Sequence, residues 1–166
     1  MIKKLKQKTT TIFFDMDGVL AQWNSAASVE DTFEPNYFLT CELEPVVREV
    51  INILRKKYRV KILSHAYGKD AIHAKTEWLD MIGLGNINKL FIPYGKPKTD
   101  YIWGFGKKVL IDDFSKNLRE WEKCGNIAIK FRNKINGTNG TWVGPSVKYS
   151  MSAKEIVDII ESTISQ

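Results

Sequence analysis

The stretch Thr10-Thr11-Ile12-Phe13-Phe14-Asp15-Met16-Asp17-Gly18-Val19-Leu20 constrains this chain more than any other. A short apolar segment bounded by polar threonines and a glycine break reads as a buried strand. Successive strand side chains point opposite ways, so Asp15 and Asp17 share a direction if the strand stays extended that far. Two carboxylates facing one way repel each other unless something positive sits between them. An acidic turn after a strand needs one Asp before a Gly, not two flanking a Met.

The remaining strands give that pair its context. Val60-Lys61-Ile62-Leu63-Ser64, Lys89-Leu90-Phe91-Ile92-Pro93, Lys107-Lys108-Val109-Leu110-Ile111-Asp112-Asp113 and Ile127 to Phe131 read as four further strands. Helical patterns lie between them. Glu44-Pro45 opens a helix whose apolar stripe is Val46, Val47, Val50, Ile51, Ile53 and Leu54, with Pro45 placed early as helix starts allow. Lys69 to Ile82 is a second helix stopping at Gly83, Phe114 to Lys123 a third, and Ala153 to Ile164 closes the chain. A short helix is expected near Pro97, and Ala21 to Leu43 is irregular. Strands alternating with such helices predict a Rossmann-like α/β/α domain, three layers around a mainly parallel sheet.

In such a sheet the carboxyl ends of the strands meet on one edge, where ligands bind. Asp15, Asp17, Ser64, Asp112 and Asp113 therefore converge on one rim from three separate strands. Up to four carboxylates in one cleft need a cation. All-oxygen ligands and no nearby Cys/His pair favour Mg²⁺ over zinc, and Mg²⁺ takes one or two carboxylates plus a substrate phosphate. A carboxylate beside the metal can attack phosphorus, and a second one two residues on can protonate the leaving oxygen. A lysine and a hydroxyl or backbone N–H should face the metal across the phosphoryl group.

These residues resemble the motifs of the haloacid-dehalogenase (HAD) superfamily, mostly Mg²⁺-dependent phosphatases. Asp15-Met16-Asp17-Gly18-Val19 looks like motif I, Leu63-Ser64 like motif II and Leu110-Ile111-Asp112-Asp113 like the double-aspartate form of motif IV. A lysine before that segment would supply motif III. The resemblance covers about residues 11 to 131, with the elements in order. Tyr37-Phe38, Ile62-Leu63-Ser64 and the segment from Asp112-Asp113 to Asn117-Leu118 and Trp121 look most like the 5'(3')-deoxyribonucleotidase branch (cytosolic type C).

The resemblance implies Asp15 as nucleophile and metal ligand, and Asp17 as general acid/base that offers the metal its backbone carbonyl. It implies Asp113 as a direct Mg²⁺ ligand, with Asp112 beside it as a ligand through water or a support. Ser64 and the backbone N–H of His65 would hold the phosphate. Lys96 and Lys98 both precede the fourth strand; Lys98 is favoured because Pro97, as an early helical residue, puts it in a first turn near the rim. The implied substrate is a small phosphoester, foremost a nucleoside monophosphate. Ala21 to Leu43, where the superfamily inserts its cap, is too short for a helical bundle. That departure opens the cleft and admits larger substrates, such as a phosphorylated polynucleotide end. Trp23, Phe33, Tyr37 and Phe38 there either stack on a nucleobase or pack the loop onto the sheet.

Other features are ordinary. His73 reads as surface, Trp78, Trp103 and Trp121 as helical core, and Asn136-Gly137-Thr138-Asn139-Gly140 as a turn rather than a phosphate cradle. His65 either touches substrate or is a hydrogen-bonded loop histidine. At 166 residues and 43% hydrophobic, the chain is expected to form a single domain, 1–166, with a core over about 10–165. No apolar run approaches the ~20 residues of a membrane span, and Met1-Ile2 followed by lysines lacks a secretory h-region, so a soluble cytoplasmic protein is expected. Cys41 and Cys124 read as free thiols. The net charge of +6 favours anionic partners, although Lys3, Lys4, Lys6 and Lys8 fall in a solvated lead-in. A catalytically silent nucleic-acid-binding or partner module is the contrasting class. The acidic rim argues against it, since clustered carboxylates cost stability and repel nucleic acid.

Overall fold

The computed structural model describes residues 9–136 and 140–166, so Lys3, Lys4, Lys6 and Lys8 and most of the turn expected at Asn136 to Gly140 lie outside the described residues. Six parallel strands form one sheet: β1 (Thr11–Phe14), β2 (Arg59–Ala66), β3 (Asn88–Pro93), β4 (Lys108–Asp112), β5 (Ile127–Arg132) and β6 (Ser146–Lys148), in the order β3-β2-β1-β4-β5-β6. Four helices flank it: α1 (Pro45–Leu54), α2 (Lys69–Met81), α3 (Ser115–Lys123) and α4 (Ala153–Ser165). β1 is central, with Phe14 paired to Ile62 of β2 and to Ile111 of β4.

Alternation along the strands builds the two faces. Ile12, Phe14, Ile62, Val109, Ile111 and Ile129 point into a core shared with α1, α2 and α4 through residues such as Val50, Trp78 and Ile160. Phe13, Leu63, Leu110 and Ala128 point the other way, against Leu118 and Trp121 of α3. Ser152 caps α4 reciprocally with Glu155, an arrangement whose serine is worth about 1 kcal/mol. Apolar clusters thereby cover both faces of the sheet.

Several details differ from the sequence expectation. β1 stops at Phe14, before either aspartate. β2 runs on to Ala66, so Ser64 pairs with Phe91 inside the sheet instead of ending the strand. A 3₁₀ turn, Lys98–Tyr101, replaces the short helix near Pro97, because Pro97 is itself extended with ψ 134°. β6 was not foreseen: three residues are too few for periodicity, and pairing to β5 defines them. Trp103 is neither helical nor core; it follows that turn in a loop and is 78% exposed, whereas Trp78 and Trp121 are buried. The stretch from Ala21 to Leu43 holds two 3₁₀ turns, Glu30–Phe33 and Tyr37–Thr40, and no long helix. Among the described residues, no helix is long and apolar enough to cross a membrane.

Candidate functional site

All strands being parallel, their carboxyl ends open into one cleft of about 470 Å³, lined among others by Asp15, Asp17, His65, Lys75, Lys96 and Asp113. The loop after β1 shapes it. Met16 is fully buried, and its carbonyl accepts from the N–H groups of Val19, Leu20 and Ala21. That anchored turn lets Asp15 and Asp17 both reach the cleft although the strand has already ended. Gly18 completes it at φ 78°, in the left-handed region that favours glycine. A Cβ there would fall 2.2 Å from Asp113 Oδ2 and 2.3 Å from Trp23 Nε1.

Asp15, Asp112 and Asp113 each offer an oxygen within 4.8 Å of the others. Lys98 Nζ donates to Asp15 Oδ1 at 2.9 Å and to Asp112 Oδ2 at 2.7 Å. Asp112 is fully buried, and also accepts from Phe114 N–H at 2.8 Å and Asn117 Nδ2 at 3.0 Å. Asp113 Oδ2 accepts from Trp23 Nε1 at 3.1 Å and Asn133 Nδ2 at 3.0 Å. One lysine cannot balance three carboxylates. Burial first, and then the neighbouring carboxylates, push the Asp15 carboxyl up to about 7 even against Lys98. The same causes push Asp113 well above the usual carboxylate range. For Lys98, burial opposes the charge, but Asp112 and Asp15 outweigh it and hold the lysine above its ordinary value.

A second cluster lies beside the first. Lys75 of α2 is wholly buried and donates to Asp17 Oδ2, to Ser64 Oγ at 3.0 Å and to the His65 carbonyl at 2.7 Å. Ser64 Oγ also reaches Asp17 Oδ2 at 3.4 Å. The His65 ring nitrogen Nε2 lies 2.8 Å from the Lys96 carbonyl, and burial chiefly lowers its pKa.

Of the residues expected from sequence, Asp15, Asp17, His65 and Asp113 line the cleft, while Ser64, Lys98 and Asp112 sit buried behind its wall. Lys98 and Lys96 separate clearly: Lys98 is the buried partner of Asp15 and Asp112, and Lys96 lines the mouth. Sequence reasoning missed three contributors, Lys75, Trp23 as a partner of Asp113, and Asn133. A signal for Lys75 was present, since Ala71, Ala74, Lys75 and Trp78 share the buried stripe of α2. Asn133 follows β5, and its Nδ2 binds the Gly18 carbonyl at 2.9 Å as well as Asp113. Nothing local in the sequence marks it.

The donor set fits a hard divalent cation: three carboxylates, no Cys or His, and a charge deficit that like-charge repulsion makes costly. No family model matches this sequence, and no curated protein matches it. Among solved structures, the chain is similar to a D,D-heptose 1.7-bisphosphate phosphatase from B. bronchiseptica crystallised with magnesium and phosphate. The TM-score is 0.63 over 92% of this chain and 98% of that one, at 12% identity. At that identity the likeness is one of fold: this chain has the Rossmann-like α/β architecture of that phosphatase.

Proposed function

We propose that this protein is a Mg²⁺-dependent phosphomonoesterase of the HAD type, acting on small phosphoesters and foremost on nucleoside monophosphates. One observation carries the reading: Asp15, Asp112 and Asp113 bring their oxygens within 4.8 Å of one another, and two of them, Asp15 and Asp113, line a cleft with Asp17. The similarly folded phosphatase crystallised with magnesium and phosphate supports it.

Asp15, Asp113 and the Asp17 carbonyl would hold Mg²⁺, with Asp112 in support. An ion held there would neutralise the carboxylates and the phosphate charge. Asp15 attacks phosphorus, forming a new oxygen–phosphorus bond. As the ester P–O bond breaks, its electron pair goes to the leaving oxygen, which takes a proton from the Asp17 carboxyl. Water then attacks the aspartyl-phosphate, giving its proton to the Asp17 carboxylate. Inorganic phosphate leaves, and the Asp15 carboxylate is restored. Lys98 keeps Asp15 oriented and puts positive charge beneath the transferring group, the His65 backbone would complete the phosphate side, and Ser64, buried behind the wall, supports Asp17.

Trp23, Phe38, Tyr67 and Tyr94 line the same cleft and suit a substrate carrying a flat ring. A phosphorylated polynucleotide end is the second reading, favoured by Lys96 and Lys116 in the cleft lining and by an insertion without a long helix. The test is a turnover screen with Mg²⁺ over nucleoside 5'- and 3'-monophosphates, ribo and deoxy, together with sugar phosphates and phosphorylated oligonucleotides. Highest kcat/KM on a mononucleotide is expected. Preference for oligonucleotides selects the second reading, and no turnover of any phosphoester rejects both.

A further inference from the structure

We propose that Lys75 is a positioning residue that selects which oxygen of Asp17 exchanges protons with the leaving group and the water. The inference rests on the phosphatase reading and adds a residue to it. Lys75 projects from the apolar stripe of α2 and is 0% exposed. A buried ammonium is retained only where acceptors surround it. Here Asp17 Oδ2, Ser64 Oγ and the His65 carbonyl take its three protons, and the Phe38 ring lies 4.3 Å from Nζ. Two of these acceptors belong to β2 and are fixed by the sheet, so the lysine is fixed as well.

A consequence follows for Asp17. Among the described residues, its side-chain hydrogen bonds, from Lys75 and Ser64, both fall on Oδ2. Oδ2 is thereby tied down, and Oδ1 is the oxygen left to carry the proton. A free carboxylate rotates about its terminal bond with broad, two-fold preference. With Lys75 in place, one orientation survives. Proton transfer by a positioned side chain contributes typically about 10²–10⁴-fold, and that efficiency depends on geometry. Among the described residues, Lys75 bonds to none of Asp15, Asp112 and Asp113, and it meets Asp17 at the side-chain Oδ2 and not at the backbone carbonyl, so its effect is separable from metal binding.

Leaving-group dependence tests the assignment. An alkyl phosphomonoester needs its leaving oxygen protonated, whereas p-nitrophenyl phosphate expels a stabilised phenolate. Lys75→Met is expected to lower kcat/KM, which reports the steps up to leaving-group departure, about 10²-fold on an alkyl ester, and on p-nitrophenyl phosphate by less than about tenfold. The double variant Lys75→Met/Asp17→Asn removes the buried cation with its anion, so it keeps charge balance inside the fold. It is expected to match Asp17→Asn alone, because a residue acting through another adds nothing once that other is gone. The Mg²⁺ midpoint of thermal stabilisation should be unchanged in Lys75→Met. Equal losses on the two esters, additive losses in the double variant, or a shifted Mg²⁺ midpoint would each overturn the assignment with the phosphatase reading intact. A wild type that turns over no phosphoester removes both.

Discussion

The Nζ of Lys98 lies 2.9 Å from Asp15 Oδ1, with both side chains at most one-tenth exposed. The same ammonium reaches Asp112 Oδ2, so one cation ties the ends of β1 and β4 together beneath the cleft. Removing it strands buried carboxylates. Lys98→Met is expected to cost about 3–5 kcal/mol, as breaking a buried pair does. Lys96→Met, at an exposed position, should stay within about 0.5 kcal/mol of wild type. Urea unfolding of the two variants checks this, and equal midpoints would show that the ion pair bears no weight in the fold.

Asp15→Asn removes one of three crowded carboxylates while leaving Lys98 its bond to Asp112. Turnover of p-nitrophenyl phosphate with Mg²⁺ should fall by about 10⁴-fold or more, in the range seen when a nucleophile is removed. The melting temperature should hold or rise, since burial and like charges already disfavour the ionised form of Asp15. A large drop in melting temperature would instead make Asp15 a structural residue.

The order and identity of the first five strands were legible because each is a short apolar run closed by a turn or a polar residue. Asp15, Asp17, Asp112 and Asp113 could be gathered in advance because parallel topology sends strand ends to one edge, whereas Ser64 reaches Asp17 from inside β2. Lys75 was harder. Its helix periodicity was visible, but a lysine on an apolar stripe looks like noise until the acceptor beneath it is known. Asn133 and Trp23 meet Asp113 from 20 and 90 positions away, and no spacing rule carries that distance. Trp103 failed for the opposite reason. Glycines at 104 and 106 with φ of 92° and 98° turn the chain away from any helix and leave the ring in solvent.

Gly18→Ala tests how tightly the β1 loop is built. The left-handed backbone alone disfavours a side chain by about 1–2 kcal/mol. The added methyl would also fall on Asp113 Oδ2 and the Trp23 indole nitrogen. Asp113 must then move away from Asp15 and Asp112. Stability should drop by about 1–3 kcal/mol, and the Mg²⁺ concentration for half-maximal turnover should rise tenfold or more, the scale of a disturbed ligand support. Unchanged Mg²⁺ dependence with a lowered melting temperature would exclude Asp113 from the metal site.

Magnesium should protect this fold more strongly at alkaline than at acid pH. Burial raises the Asp15 carboxyl from 3.8 to about 7, so the folded chain holds a proton there that the unfolded chain has already released. Without metal, stability therefore falls as pH climbs from about 4 through 7, where the fold must accept the charge. Asp113, also raised, adds to the same slope. A bound cation requires deprotonated carboxylates and reverses their repulsion, so its affinity grows over that interval. Thermal melts with Mg²⁺ and with EDTA at pH 5.5 and pH 8 measure the difference. A larger gain at pH 8 is expected. An equal gain at both, or a larger one at pH 5.5, would mean that the ion binds somewhere other than among Asp15, Asp112 and Asp113.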